Sequence, residues 1–340
     1  MLNLIFTLFI IPFIPFWLFG HLISNASGGA NITCQGSICD LSAKMADSSD
    51  FIVKNLFPVD SALASGYVPV RTTNADDIKL WAGSSAAIDA DSGTILHYDQ
   101  GRKHVQIASL TKMMTAILAV ENIQDLDSAV VTINAEDLDV DGTKVGCPTS
   151  VYCNGNRMFV GEKVKAIDLL RVMLMNSAND AATALGSYIG GSPKKFVDMM
   201  NAKAKDMGLT DTHFCTPSGL EIDGHEDECY SSAYDIARIA AYSMRYDTIW
   251  NIMRTLDGQF YSVDGRTMHI LQNTDMLLNT LPGCIGGKTG FTPLAGKSLL
   301  LGAADPTGKH KIIAVVLNDD QRWSDMKSLV DWIFNNYKWQ

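Results

Sequence analysis

Charge is missing from the start of the chain. Residues 1–23, MLNLIFTLFIIPFIPFWLFGHLI, hold no Asp, Glu, Lys or Arg. The run exceeds the apolar core of an ordinary secretion signal, about 7–15 residues, and is long enough to cross a bilayer. No basic residue precedes Lys44, so the positive flank of a signal is absent and the positive-inside rule gives little guidance. Two readings stay open for residues 1–24: an uncleaved N-terminal anchor, kinked at Pro12 and Pro15, or a signal removed after Ala26 or Ala30. Both export the remainder of the chain. A basic stripe is also lacking. The 27 Lys and Arg stand against 37 Asp and Glu, a formal charge of −10, which argues against nucleic acid as a partner. Tandem repeats and low-complexity tracts are absent. So is any Cys-x-x-Cys spacing, which leaves a zinc site without a local scaffold.

The cysteines agree with export. Six of the seven fall into three close pairs, Cys34/Cys39, Cys147/Cys153 and Cys215/Cys229. Short polar loops closed in this way suit an oxidising compartment, and all three pairs are disulfide candidates. Cys284 is left over and reads as a small buried hydrophobe. Residues 25–65, rich in Ser, Asp, Asn, Ala and Gly, read as a linker, and residues 66–340 as the catalytic domain.

Apolar periodicity orders that domain. SSAAIDADSGTILHYDQ (84–100) predicts a hairpin turning on Asp-Ser-Gly. SLTKMMTAILAVEN (109–122) predicts a helix capped by Ser109. Residues 165–257 predict successive helices, one of them opened by Ser192 as cap and Pro193 at its first position. GCIGGKTGFT, AGKSLLLGAAD and HKIIAVVLND predict antiparallel strands joined by short turns, and WSDMKSLVDWIFNNY a closing helix. The expected fold class is α/β (α+β). One antiparallel sheet, built from the N- and C-terminal strands, is flanked by helices and carries an inserted all-helical subdomain.

Chemistry has to be separated from coincidence. Ser-x-x-Lys occurs three times, where about one match is expected by chance. Ser192–Lys195 is explained by the helix cap. Ser324–Lys327 is explained by an opening turn whose Lys327 joins Asp325 and Asp331 on a polar face. Ser109–Lys112 alone lies on an apolar helix. There the two side chains share a face, and a desolvated lysine loses proton affinity and can act as a base. Two further motifs come later in the chain. Ser177-Ala-Asn179 sits in the break between two helices. Lys288-Thr289-Gly290 opens a strand, where Gly290 would let a substrate backbone lie close and the edge could take a peptide as an added strand.

Ser-x-x-Lys, Ser-x-Asn and Lys-Thr-Gly in this order form the set of penicillin-binding proteins and class A β-lactamases. From about residue 66 to 340 the chain resembles the low-molecular-mass penicillin-binding proteins that are serine-type D-alanyl-D-alanine carboxypeptidases. AAIDADSGTIL, IASLTKMMTAILA, GEKVKAIDLLRVMLMNSANDAATALG, FVDMMNAKAKDMGLTDTHFCTPSGL, YSSAYDIARIA, GGKTGFTPLAGKSLL and LVDWIF carry the likeness.

The resemblance implies a substrate, a peptidoglycan stem peptide ending in D-Ala-D-Ala, and β-lactam antibiotics as acylating inhibitors. It implies Ser109 as nucleophile and Lys112 as its base. It implies Ser177 as proton relay, Asn179 as peptide anchor and Lys288 as positive charge beside Ser177. It further implies substrate binding by Thr289, Gly290, Phe291 and Arg322, with the Ser109 and Phe291 N–H groups as oxyanion hole. No metal or cofactor is required, and the setting is the cell envelope, with the membrane as a partner through the N-terminal segment. The chain departs from the family in longer loops at CPTSVYC (147–153) and EIDGHEDEC (221–229). By the same comparison, the C-terminal β-rich domain of many relatives is not expected. No Glu-x-x-Leu-Asn string follows Asn179, and Glu221 is followed by IDGH, so a β-lactamase would lack its deacylating base. A DD-endopeptidase and a non-catalytic penicillin-binding sensor stand beside it as rival readings.

Overall fold

The computed structural model describes residues 67–149 and 152–340. The anchor or signal segment and the 25–65 linker lie outside the described residues. So do Cys34 and Cys39, the first of the expected cysteine pairs. Along the chain run β1 (Pro69–Arg71), β2 (Ser84–Asp89), β3 (Ile95–Asp99), α1 (Lys112–Asn122), β4 (Val130–Thr132), α2 (Ala135–Leu138), β5 (Lys163–Lys165), α3 (Ala166–Met175), α4 (Asn179–Gly190) and α5 (Pro193–Asp206). There follow α6 (Ala233–Ser243), α7 (Asp247–Met253), β6 (Asp257–Tyr261), β7 (Met268–Gln272), β8 (Cys284–Thr292), β9 (Gly296–Ala304), β10 (Lys311–Leu317), α8 (Arg322–Asn336) and β11 (Tyr337–Trp339). Among the described residues no helix is long and apolar enough to cross a membrane.

The expected antiparallel sheet is present, with strand order β3-β2-β10-β9-β8. Its centre explains itself chemically. β10 reads KIIAVVL, and six of its seven residues are buried. Side chains alternate across a strand, so a continuous apolar run must be covered on both faces. Ile313, Val315 and Leu317 join the core that includes Met113, Met114, Ile117, Leu169, Leu170 and Met173. Ile312, Ala314 and Val316 join a second core with Met326, Leu329, Val330 and Ile333 of α8. β10 pairs with β2 and β9 (Val315 opposite Ala86 and Leu300), so the first and last parts of the chain close one sheet around the helical insertion. β8 has only β9 as neighbour and leaves its other edge unpaired among the described residues.

The structure departs from the sequence reading in several places. Two small antiparallel ladders, β4 with β5 and β6 with β7, flank the 165–257 stretch read as helices; of their strands only β4 is expected from sequence, where VVTINAEDL reads as a strand or edge before a turn. The first is too short to show a period. The second, DGQFY and MHILQ, has polar residues where alternation would reveal it. β1 pairs with β11, so the chain's last residues brace the start of the described body. Asp325 does not share an exposed polar face with Lys327 and Asp331; it is buried and accepts a hydrogen bond from the Trp81 N–H. Ser192 does cap its helix, accepting from the Lys195 N–H at 3.3 Å.

β7 and the loop before β5 are fastened by a buried pair. His269 and Glu162 are both fully buried, with Nε2 and Oε1 2.7 Å apart. The other ring nitrogen of His269 lies 2.9 Å from the Asn156 carbonyl oxygen. Burial alone would push the imidazole pKa down, but the bonds to Glu162 and Asn156 outweigh it and raise the pKa. A raised folded pKa contributes stability that is full below the ordinary value of 6.5 and is lost as pH rises through the folded value. Glu162→Ala should cost about 3–5 kcal/mol of unfolding free energy in mildly acidic solution, as expected when a buried charge loses its partner. The cost should shrink at alkaline pH. Denaturant titrations at both conditions check this, and an equal loss at both would contradict it.

Candidate active site

The path to Ser109 is strained. A 3-10 turn, Ala108–Thr111, precedes α1, and Ala108 adopts φ 48°, a left-handed conformation that costs a residue with a side chain about 1–3 kcal/mol. Ser109 is therefore not the helix cap expected from sequence. α1 begins at Lys112, and Thr111 occupies the cap position without a capping side-chain bond. Ser109 lies in the opening turn, where N–H groups lack helical acceptors.

Lys112 is fully buried. Its Nζ lies 2.8 Å from Ser109 Oγ, 2.7 Å from Asn179 Oδ1 and 2.7 Å from the Ser218 carbonyl oxygen. Two of these partners can only accept. The Asn179 orientation is fixed because its Nδ2 donates to the Asp141 carbonyl at 2.8 Å. A neutral amine has two N–H bonds and one lone pair. With both N–H bonds spent on Asn179 and Ser218, the lone pair is left facing the Ser109 hydroxyl, the arrangement of a base beside its nucleophile. Burial drives the Lys112 pKa well below 10.5; the nearby Lys288 charge adds to the fall and Asp180 opposes it.

Ser218 arrives through a glycine. Gly219 has φ +86°, and a Cβ there would lie 1.9 Å from the Ala108 carbonyl oxygen. Glycine alone lets this loop close on the 3-10 turn. Thr115 Oγ1 donates to the Pro217 carbonyl at 2.6 Å and holds the same segment. The Ser218 contact was not assigned from sequence. Proline, serine and glycine at 217–219 are turn-forming residues, but nothing in the chain order says which helix the turn meets.

Ser177 and Asn179 occupy the break between α3 and α4, as expected. Ser177 has φ 64°, a second left-handed residue of the site. Asn179 donates its backbone N–H to the Thr143 carbonyl at 2.7 Å. The Asp180 carboxylate accepts from the Val145 N–H at 3.0 and 3.1 Å. Burial pushes the Asp180 pKa up to about 6, against the pull of those backbone donors. The segment from Asp141 to Val145 thus borders the site.

Two of the three expected disulfides are formed among the described residues. Cys147–Cys153 closes the loop into which the Asp141–Val145 segment leads. Cys215–Cys229 closes the loop that contains Ser218. The third expected pair, Cys34 with Cys39, falls in the stretch outside the described residues, so no disulfide is assigned there. Cys284 is free and half-buried, its thiol pushed up to about 12 by burial and by Asp275.

β8 supplies the opposing wall. Lys288 is buried and donates to Ser177 Oγ at 2.9 Å and to the Thr289 carbonyl at 3.0 Å. Burial, with help from the Arg322 charge and against that of Asp275, brings its pKa down to about 7. Thr289 Oγ1 lies 2.7 Å from Thr274 Oγ1. Arg322 Nη1 donates to the Gly290 and Ser298 carbonyls at 3.0 and 3.2 Å, and its Nε is buried without a partner among the described residues. Gly290 serves packing: a Cβ there would stand 3.0 Å from the Ile107 carbonyl oxygen and 3.5 Å from Ala108 Cβ. A side chain there would press on the backbone that leads into the 3-10 turn. The Phe291 side chain is exposed.

The site residues expected from sequence thus gather on the 3-10 turn, α1, the α3–α4 break, β8 and the start of α8. They place a serine beside an amine base, with two further basic side chains, Lys288 on β8 and Arg322 bonded across the β8–β9 pair. Such a site can perform acyl transfer on a substrate that carries a negative charge near the reacting carbonyl.

Comparison with known proteins adds to this geometry. A family model described as D-alanyl-D-alanine carboxypeptidase matches residues 70–321. The chain is 30% identical over 262 residues to the D-alanyl-D-alanine carboxypeptidase DacF of Bacillus subtilis, covering 76% of this chain and 63% of that protein. It is 34% identical over 252 residues to the D-alanyl-D-alanine carboxypeptidase DacB2 of Mycobacterium tuberculosis, covering 72% and 80%. The crystal structure of the Streptomyces K15 DD-transpeptidase superposes with a TM-score of 0.67 at 27% identity, covering 77% of this chain and all of that one.

The depressed Lys288 pKa has a consequence for stability. Between about 7 and 10.5 the unfolded chain binds a proton at Lys288 that the folded chain does not, so this group makes stability rise with pH across that window. Lys288→Met removes this contribution. Relative to the variant, wild-type unfolding free energy should increase as pH is raised through the window. A gap independent of pH in denaturant titrations would contradict the assignment.

Proposed function

The chain belongs to the D-alanyl-D-alanine carboxypeptidase family, and from that membership we propose that it is a serine-type D-Ala-D-Ala carboxypeptidase acting on peptidoglycan stem peptides. The observation that carries this is the Lys112 amine, buried between two obligate acceptors with Ser109 Oγ as its third neighbour. Ser109 Oγ attacks the carbonyl of the penultimate D-alanine as Lys112 takes the hydroxyl proton. The oxyanion rests on the N–H groups of Ser109 and Phe291. The substrate's terminal carboxylate lies towards Thr289 and Arg322, and Asn179 holds the peptide. As the C–N bond breaks, Ser177 hands its proton to the leaving D-alanine amine and takes in return the one Lys112 had accepted, with Lys288 orienting the Ser177 hydroxyl. Water then cleaves the ester, and Ser109 regains its proton through Lys112. A β-lactam enters by the same first step and stays bound longer, because the chain carries no Glu-x-x-Leu-Asn base.

The protein works outside the cytoplasm, in the cell envelope. The uncharged run at residues 1–23 and the close cysteine pairs support this, as do the disulfides Cys147–Cys153 and Cys215–Cys229. The N-terminal segment is the proposed membrane partner, and residues 66–340 form the catalytic domain.

Incubation with a fluorescent penicillin should label the protein covalently. A peptide ending in D-Ala-D-Ala should release D-alanine. Ser109→Ala should abolish both. Labelling that survives this substitution would refute the nucleophile, and labelling without D-alanine release would favour a penicillin-binding sensor.

A further inference from the structure

One carboxyl side chain beside the site has no part in the steps above. Glu221 follows Ser218-Gly219-Leu220, the segment locked onto the 3-10 turn by the Lys112 and Gly219 contacts. From there it reaches β8, where Thr292 Oγ1 donates a hydrogen bond to its Oε1. The carboxylate is therefore held from both sides, by the nucleophile's turn and by the substrate-facing strand. Oε2 makes no hydrogen bond among the described residues, and Glu221 is only half-buried. Residues 216–229 contain no Lys or Arg to neutralise it.

Its place along β8 can be counted. A peptide added to the free edge, with its terminal carboxylate near Thr289 and Arg322 and its scissile carbonyl at the Phe291 N–H, runs antiparallel to β8. Each further residue towards its N-terminus advances about 3.3 Å past Phe291 towards Thr292 and beyond. The residue immediately before the D-Ala-D-Ala pair then lies beside Thr292. The Thr292 side chain shares its face with Lys288 and Gly290, the face that packs on the nucleophile's turn, and Glu221 is bonded to it. That residue's side chain thus shares the face on which Thr292 holds the Glu221 carboxyl.

We propose that Glu221 is a specificity-determining residue, which selects peptides whose residue just before D-Ala-D-Ala carries a free side-chain ammonium. This rests on the carboxypeptidase reading and narrows its substrate class. Acylation of that amine removes the charge, so a stem already cross-linked through it is the poorer substrate. The enzyme accordingly acts ahead of the amide-forming reaction that consumes the amine.

Two peptides test this, both with L-Lys before D-Ala-D-Ala, one with a free ε-ammonium and one Nε-acetylated. Wild type should show a kcat/KM about two- to fivefold higher for the free amine, the range of a partly exposed ion pair. Glu221→Gln, which keeps an acceptor for Thr292, should bring the ratio to about one and leave the acetylated peptide unaffected. In wild type alone, added NaCl should shrink the preference. A ratio unchanged by Glu221→Gln, or a preference indifferent to salt, overturns the proposal while the carboxypeptidase reading stands. D-alanine release from neither peptide overturns both.

Discussion

Burial of one amine organises this site. Lys112 sits fully enclosed on the first turn of α1, and a charged ammonium there would cost several kcal/mol of lost hydration. The protein does not offset that cost with a carboxylate in contact. It offers an amide oxygen, a backbone carbonyl and a serine hydroxyl, three neutral partners that suit a neutral amine. Desolvation and the neighbouring Lys288 charge act in the same direction. The base is thus prepared by its surroundings before any substrate arrives.

Much of the surrounding structure serves to hold those partners still. Asn179 is pinned through its Nδ2 and its backbone N–H to the Asp141–Thr143 segment. Ser218 is pinned by the close approach that only Gly219 permits. Ala108 and Ser177 hold left-handed backbone conformations beside the reacting groups. Such residues are destabilising, and they persist where packing over-determines them. Here the two apolar cores on either face of the sheet supply that packing. Lys288 repeats the theme, a second buried lysine whose pKa is brought down to about 7 and which is set against Ser177. The site concentrates instability, and the sheet and its helices carry it.

Legibility of the sequence followed the physical source of each signal. The helices of the insertion and the strands β2, β3, β8, β9 and β10 were visible because their apolar patterns are long enough to show a period. Ser192 was visible as a cap because its chemistry is local. Of the short ladders only β4 was, in VVTINAEDL; β5, β6 and β7 were not, since they are three to five residues long and are fixed by partners distant in sequence. Within the site, motif residues were legible by type and order. The contacts that define their chemistry were not. Ser218 offers a backbone oxygen, which any residue could supply, and Gly290 is needed for a turn that lies some 180 positions earlier in the chain. Ser109 resembled a cap because serine favours helix starts; the 3-10 turn that displaces it depends on tertiary packing against β8.

With these partners Lys112 is a neutral amine in the free protein. Carbon-detected NMR of protein labelled at the lysine side chains, with Lys112→Arg to assign the signal, measures this directly. Lys112 should show an amine-type shift at neutral pH, with titration well below 10.5. An ammonium signal that persists until pH reaches the ordinary lysine value would contradict it.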